Sequence, residues 1–314
     1  MPNFNFAKVL FSIRTDQSMQ KGIRMKLLQI MRPTHWIKNI LVFAALIFGQ
    51  KLAVPSAIGR AVGAFVCFCL ASSAVYIFND IIDRRTDKLH PEKRRRPIAA
   101  GTLSVSSAAV MSIVCAAASV AGAVLLSRNF AMIVALYIVL VILYSLVLKR
   151  AMILDCITIS IGFCLRAIAG AVAIDVFISP WLIVCTFALC LFLAFSKRRC
   201  EMARLGEQGE LFRRTLGGYT SELLAHMVNV TSGLAIACFL LYAMDEATVT
   251  RFRTVNLVYT TPLVLYCVFR LSALTQQGRF SGPVELVLSD LPFQIGFVLW
   301  VLACVGIIYA ERLC

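Results

Sequence analysis

Asn79-Asp80-Ile81-Ile82-Asp83-Arg84-Arg85-Thr86-Asp87 closes a long apolar run and opens a strongly basic one. If the helix before it continues, Asp80, Asp83 and Asp87 fall at i, i+3 and i+7, on one face and within roughly 10 Å along the axis. Three unpaired carboxylates placed in this way repel one another, and a hard divalent cation relieves the repulsion. Mg2+ is commonly held by one or two carboxylates, with its remaining positions left to water and substrate phosphates. The stretch therefore reads as a metal and phosphate site at a membrane surface, with Asp80, Asp83 and Asp87 as its catalytic acids.

The next residues, His90-Pro91-Glu92-Lys93-Arg94-Arg95-Arg96-Pro97-Ile98-Ala99-Ala100-Gly101, bring guanidinium groups beside the acids. Arginine forks match phosphate oxygens in bidentate fashion, so metal ligands and arginines together suit a diphosphate and would stabilise charge on a departing pyrophosphate. Taken alone, the basic residues read equally as a loop touching anionic lipid headgroups.

The rest of the chain is the setting for this site. Of 314 residues 60% are apolar and 15% charged, with a mean hydropathy of +0.84, which excludes an ordinary soluble domain. Runs able to cross about 30 Å of hydrocarbon are marked near 38–54, 56–78, 104–126, 130–148, 152–174, 179–196, 225–244, 254–271 and 291–311. The expected fold is thus all-α, an integral membrane bundle of nine transmembrane helices. Lysine and arginine gather in short cytoplasmic loops. With the N-terminus inside, 24 of the 31 basic residues fall on the cytoplasmic side, six fall outside, and Arg166 lies within the fifth helix. This orientation puts the C-terminus outside and the active-site mouth in the cytoplasm, and it suits a cell (inner) membrane protein.

The net charge of +15 belongs to helix ends with no nucleic-acid module around them, so membrane lipids and phosphate substrates are the expected partners and nucleic acid is not. The cysteines mostly lie in apolar helices, with no C-x-x-C pair for zinc. No cleavable signal is read before Arg32-Pro33. One membrane domain over 37–314 follows a cytoplasmic segment, 1–36. Two long charged loops, about 79–103 and 197–224, come four helices apart, which hints at a duplicated four-helix unit and places the chemistry where the loops meet. An oligomer is possible, and nothing in the sequence sets its size.

N-D-x-x-D-x-x-x-D followed by H-P-x-K-R-x-R-P-I-A-A-G resembles the UbiA superfamily of intramembrane prenyltransferases. Arg32-Pro33-Thr34-His35-Trp36-Ile37-Lys38-Asn39, Tyr144-Ser145-Leu146-Val147-Leu148-Lys149 and Leu165-Arg166-Ala167-Ile168-Ala169-Gly170 narrow the resemblance to its decaprenyl-phosphate phosphoribosyltransferase branch. That branch moves 5-phosphoribose from phosphoribosyl diphosphate (PRPP) to a polyprenyl phosphate, toward decaprenylphosphoryl-arabinose and cell-wall arabinan. Aromatic prenyltransferases of this fold usually carry a second D-x-x-x-D after the sixth helix. Here that place reads Ser196-Lys197-Arg198-Arg199-Cys200-Glu201, similar to the branch's K-R-x-x-E, and Tyr219-Thr220 follows the same pattern.

The resemblance implies a UbiA-type bundle with Asn79, Asp80, Asp83 and Asp87 on Mg2+. It also implies Lys38, Arg95, Arg96, Tyr144, Lys149, Arg166, Lys197, Arg198, Glu201 and Tyr219 on substrate. Several of these have plainer readings. Arg166 lies eleven residues, about 16 Å, beyond Asp155. It is either a phosphate or site-organising contact, or half of a structural pair with a carboxylate on a neighbouring helix. Lys38 and Lys149 sit where snorkelling alone would place a lysine. Tyr144 and Trp36 suit an interfacial belt, and His35 shows no partner in the sequence. Gly282-Pro283-Val284-Glu285-Leu286 resembles a late family element without a derivable chemical role. The competing functions are an aromatic prenyltransferase and, in another class, a lipid or anion transporter.

Overall fold

Backbone N–H and C=O groups in hydrocarbon have no water to bond, so long apolar stretches close on themselves as helices. The computed structural model describes residues 25–205, 214–277 and 283–310. Among them, eight helices are long and apolar enough to cross a membrane, and no strand occurs. They are α1 (Pro55–Ile82), α2 (Val105–Leu126), α3 (Arg128–Leu146), α4 (Leu154–Ala173), α5 (Pro180–Leu205), α6 (Ser221–Met244), α7 (Thr261–Gln276, led by a 3-10 turn over Asn256–Thr260) and α8 (Leu291–Ala310). The protein is a multi-pass membrane protein. Side-chain caps fix three of the starts: Ser104 Oγ accepts from Ser107 N (3.1 Å), Ser127 Oγ from Phe130 N (3.1 Å) and Thr220 Oγ1 from Leu223 N (3.0 Å).

The span expected over 38–54 takes a different form. Residues Pro33–Phe43 wind as a 3-10 helix and only Ala44–Phe48 as an α-helix, a segment shorter than a standard span. The tighter winding compensates, because at about 2.0 Å and 1.5 Å per residue the two parts together advance roughly 30 Å. Its ends meet opposite ends of the bundle. Arg32 pairs with Asp80 near the end of α1, whereas Gln50 Nε2 donates to Ile308 O (3.2 Å) and Leu52 N to Tyr309 Oη (3.0 Å) near the end of α8.

Two apolar cores divide the bundle. One joins Phe68 and Val75 of α1, Phe130 and Tyr137 of α3, Leu165 and Ala169 of α4, and Val42 of the leading segment. The other joins Phe192 and Phe195 of α5, Leu224 and Val228 of α6, Val268 and Leu271 of α7, and Phe293 of α8. Small residues let backbones touch. At Gly170 of α4 a Cβ would lie 2.1 Å from the Val42 carbonyl oxygen, so the leading segment rests directly on that helix.

Two expected boundaries move in ways that reshape the site. The helix carrying the aspartates ends at Ile82, and Asp83 (φ −84°, ψ 3°) turns the chain into a separate short helix, Arg84–Leu89. Asp80, Asp83 and Asp87 therefore do not share one continuous helical face. The sixth expected helix does not stop at 196, because α5 continues to Leu205 through residues of good helix propensity. Lys197, Arg198 and Glu201 thus lie on a helix and not in a loop. Residues 1–24, the loop stretch 206–213, Gly282 and Arg312 lie outside the described residues.

Candidate active site

Asp80 and Asp83 stand at the C-terminal end of α1, where the helix dipole is already negative. Cations from three other parts of the chain offset that charge. Arg32 Nη2 reaches Asp80 Oδ1 at 2.5 Å. Arg96 Nη1 bridges Asp80 Oδ1 (2.9 Å) and Asp87 Oδ2 (2.7 Å). Lys149 Nζ, from the turn between α3 and α4, bonds Asp83 Oδ1 (2.5 Å) and Asn79 Oδ1 (3.3 Å), and Asn79 Nδ2 donates to Asp83 Oδ2 at 3.0 Å. Arg32 is held with a left-handed backbone (φ 54°, ψ 61°) ahead of Pro33. This is a costly conformation for arginine, of the kind that persists where the surroundings over-determine it.

The four residues expected to hold metal are therefore sorted into two oxygen cradles, Asn79 with Asp83 and Asp80 with Asp87, each already holding a cationic group. Among the described residues no three His, Cys, Asp or Glu side chains form one metal cluster. The donors still fit a hard divalent cation, which takes carboxylate and amide oxygens and completes its shell with water and phosphate. Burial pushes the Asp87 carboxyl above its usual range, while Arg96 and Lys93 pull it down. His90 shapes the basic loop, its Nδ1 accepting from Glu92 N (3.2 Å) and Lys93 N (3.3 Å), and burial lowers its pKa.

The two charged stretches do meet, at the last turn of α5 and the loop after the acidic motif. Arg204 Nη2, on the last turn of α5, lies 2.5 Å from Glu92 Oε1. Beneath them is a buried network. Arg198, 1% exposed, pairs with Glu201 and places its Nε 3.1 Å from Asp155 Oδ2 at an angle outside hydrogen-bonding geometry. Tyr219 Oη accepts from Ile153 N at 2.8 Å and donates to Asp155 Oδ1 at 3.5 Å. Burial raises the Tyr219 pKa. Ile153 has φ 69°, a strained conformation for a β-branched residue, and the Tyr219 hydroxyl holds that turn in place.

Other sequence-selected residues are distributed unevenly around the site. Arg96 reaches the carboxylates, whereas Arg95 is exposed on the loop. Tyr144 is half-buried and faces Arg198. Lys197 stands 3.9 Å from Glu201. Lys38 is half-buried with its ammonium 5.8 Å from the Tyr76 ring centre. Arg166 has no carboxylate partner among the described residues, which removes the structural-pair reading. Its Nε, Nη1 and Nη2 donate instead to Asn39 Oδ1, Gly162 O and Tyr137 Oη, each at 2.7 Å. Asn39 in turn donates to Ser72 Oγ at 3.2 Å, and Trp36 Nε1 to Ser73 Oγ at 3.1 Å.

Arg32, Asn39, Tyr76 and Tyr137 were not selected from the sequence. The first two lie in the quoted Arg32–Asn39 motif. A tyrosine in the middle of apolar α3, at the depth of Arg166, was the available signal for Tyr137. A hollow of about 350 Å3 lined by Arg60, Ser127, Asn129 and Asp175 lies at the opposite end of the bundle, away from these groups.

Residues 39–283 match the UbiA prenyltransferase family. The chain belongs to that family. A decaprenyl-phosphate phosphoribosyltransferase from Mycolicibacterium smegmatis is 32% identical over 291 residues, covering 90% of this UbiA-family chain and 92% of that protein. One from Corynebacterium glutamicum is 31% identical over 302 residues, covering 92% and 88%. A UbiA homologue from Archaeoglobus fulgidus, solved bound to GPP and Mg2+, has a TM-score of 0.66 at 19% identity over 90% of this chain and 99% of that one. The all-α bundle is thus the UbiA fold.

Proposed function

We propose that this protein transfers 5-phosphoribose from phosphoribosyl diphosphate to a polyprenyl phosphate such as decaprenyl phosphate, releasing pyrophosphate. The reading is supported chiefly by one combination: two acidic cradles ringed by Arg32, Arg96 and Lys149, in a chain similar along most of its length to proteins named for that reaction. The helix continuing through Lys197, Arg198 and Glu201, where an aromatic prenyltransferase would carry a second acidic pair, points the same way.

Asn79, Asp80, Asp83 and Asp87 are assigned to Mg2+, which when bound would neutralise charge on the diphosphate. Arg96, with Arg32, takes up charge on the departing pyrophosphate, and Lys149 turns from Asp83 to phosphate. An oxygen of the lipid phosphate attacks C1 of the ribose as the C1–O bond to pyrophosphate breaks, the electron pair leaving with pyrophosphate. The nucleophile is already anionic, so no base has to remove a proton, and positioning and electrostatics carry the catalysis. In-line attack inverts C1. Arg198, Glu201 and Tyr219 act by holding the floor of the site, with Tyr144 and Lys197 at its edge.

We place the carboxylate end in the cytoplasm and the chain in the cell (inner) membrane, with the N-terminus inside, because the basic residues gather at that end. The catalytic unit is 37–314, and the product feeds arabinan assembly in the cell wall. The test is incubation of the purified protein with radiolabelled phosphoribosyl diphosphate and a polyprenyl phosphate, with Mg2+ or with EDTA. Metal-dependent label in the lipid phase is expected. No transfer by folded protein across several lipid lengths would refute the reading.

A further inference from the structure

One group of cations is left without anionic partners. Lys38 makes no ion pair or hydrogen bond among the described residues. The charges facing it are Arg166 and Arg32, and Arg166 is itself held only by neutral groups. Next to Lys38, the Nδ1 atom of His35 is buried without a hydrogen-bond partner. The charged groups around that imidazole are Lys38, Arg32, Lys197 and Arg96, all cationic. Tyr76 forms one wall, with its ring 5.5 Å from the His35 ring, 5.4 Å from Arg32 Cζ and 5.8 Å from Lys38 Nζ. Arg32 and Arg96 are neutralised by Asp80 and Asp87, and Lys197 stands 3.9 Å from Glu201. Lys38 and Arg166 remain uncompensated. Like charges gathered in a water-poor interior are costly unless an anion joins them.

Depth separates this cluster from the acidic cradles. Tyr76 comes four residues before Asp80 on α1, and Ser72, the partner of Asn39, comes eight before it. The cluster therefore lies about 6–12 Å further into the bundle. The segment that carries it is apolar and presents Ile40, 52% exposed, on the bundle surface. A soluble diphosphate held with metal stays at the carboxylates. A phosphate carried on a lipid tail enters from the membrane side, and a phosphate monoester brings a charge of about −1.5 to −2.

We propose that Lys38, His35 and Tyr76, backed by Arg166, form a second anion subsite that takes the phosphate monoester of the lipid acceptor. His35 supplies its buried, unpartnered Nδ1 as a hydrogen-bonding group in it, and Lys38 is its counter-charge. This rests on the phosphoribosyl-transfer reading for its role in turnover, but binding at the subsite can be read without a donor.

The probes are farnesyl phosphate, farnesol, and phosphoribosyl diphosphate with Mg2+, titrated against the full chain in detergent. Lys38→Met is expected to weaken farnesyl phosphate roughly tenfold to a hundredfold, the loss of a charge-assisted bond. It should leave farnesol and phosphoribosyl diphosphate unchanged. His35→Phe should weaken farnesyl phosphate less, and Lys38→Arg should restore most of the affinity. Unchanged farnesyl phosphate binding, or an equal loss for farnesol, overturns the proposal. A loss confined to phosphoribosyl diphosphate also overturns it, since the cluster would then take the donor's 5-phosphate. If Lys38→Met does not fold, amine acylation of the wild-type protein decides. Farnesyl phosphate should protect Lys38 where farnesol does not, and equal labelling refutes the subsite. A chain that fails to bind phosphoribosyl diphosphate at all, yet shows this protection, would lose the transfer reaction and keep the subsite.

Discussion

Replacing Arg198 with methionine takes the cation out of an ion pair whose side chains are 1% and 0% exposed and 3.1 Å apart. At an effective dielectric of about 20 that separation corresponds to an attraction of roughly 5 kcal/mol. Desolvation of both groups offsets most of it in the native protein, so the intact pair adds little net stability. Truncating one side leaves the Asp155 carboxylate buried beside the Tyr219 hydroxyl at 3.5 Å without the Arg198 cation, and breaking a buried pair in this way costs about 3–5 kcal/mol. For 314 residues the unfolding entropy is about 0.66 kcal/mol/K, so Tm falls by about 5–8 °C. Arg198→Met combined with Asp155→Asn removes the stranded charge and should recover a large part of the loss. Thermal unfolding in detergent, run beside transfer kinetics, measures both effects. An Arg198→Met protein with unchanged Tm and a raised KM, or a double variant no more stable than the single one, would refute the structural role and return Arg198 to the substrate.

Asp80→Asn and Asp83→Asn should each reduce turnover by about a hundredfold or more while the protein still elutes as a folded species; wild-type rates in either would defeat the assignment of the cradles. Gly170→Ala places a methyl 2.1 Å from Val42 O and 2.9 Å from its carbonyl carbon, both backbone atoms. It should cost about 3 kcal/mol or more, whereas Gly59→Ala, with nothing within 4 Å, should leave Tm unchanged or slightly raised. Hydrogen bonding from Arg270 and then from Phe293 N holds the Asp290 carboxyl below its usual range, against its partial burial. A depressed folded pKa contributes stability that is present above the unfolded value of 3.8 and is lost as pH falls toward the folded one. Tm should therefore decline with acidification below that value, and Asp290→Asn should show a shallower decline; identical pH profiles would count against the pair.

The helices were legible in the sequence because each apolar run must satisfy its own backbone in hydrocarbon, whatever its neighbours are. Seven of the nine expected spans keep their place, and the sixth keeps its start. The leading segment differed: it winds as a 3-10 helix and rests on Gly170, a partner more than a hundred residues away that local spacing does not show. The break at Asp83 was not readable from spacing. The charges of a helix end are balanced by whichever cations the fold brings to its acids, here Arg96 from the following loop and Lys149 from the turn between α3 and α4.

The sequence by itself determined the membrane architecture, the acidic and basic motifs and the family they resemble, since these depend on composition and local order. Only the tertiary structure decided the pairing. It split the four residues of the acidic motif into two cradles, sent Arg166 to Asn39 and Tyr137 and not to a carboxylate, buried Arg198 on Asp155, and left Lys38 and His35 among cations. The reason is that a charge inside a bundle is governed by distance and desolvation, and both are properties of packed neighbours that the linear order of residues does not contain.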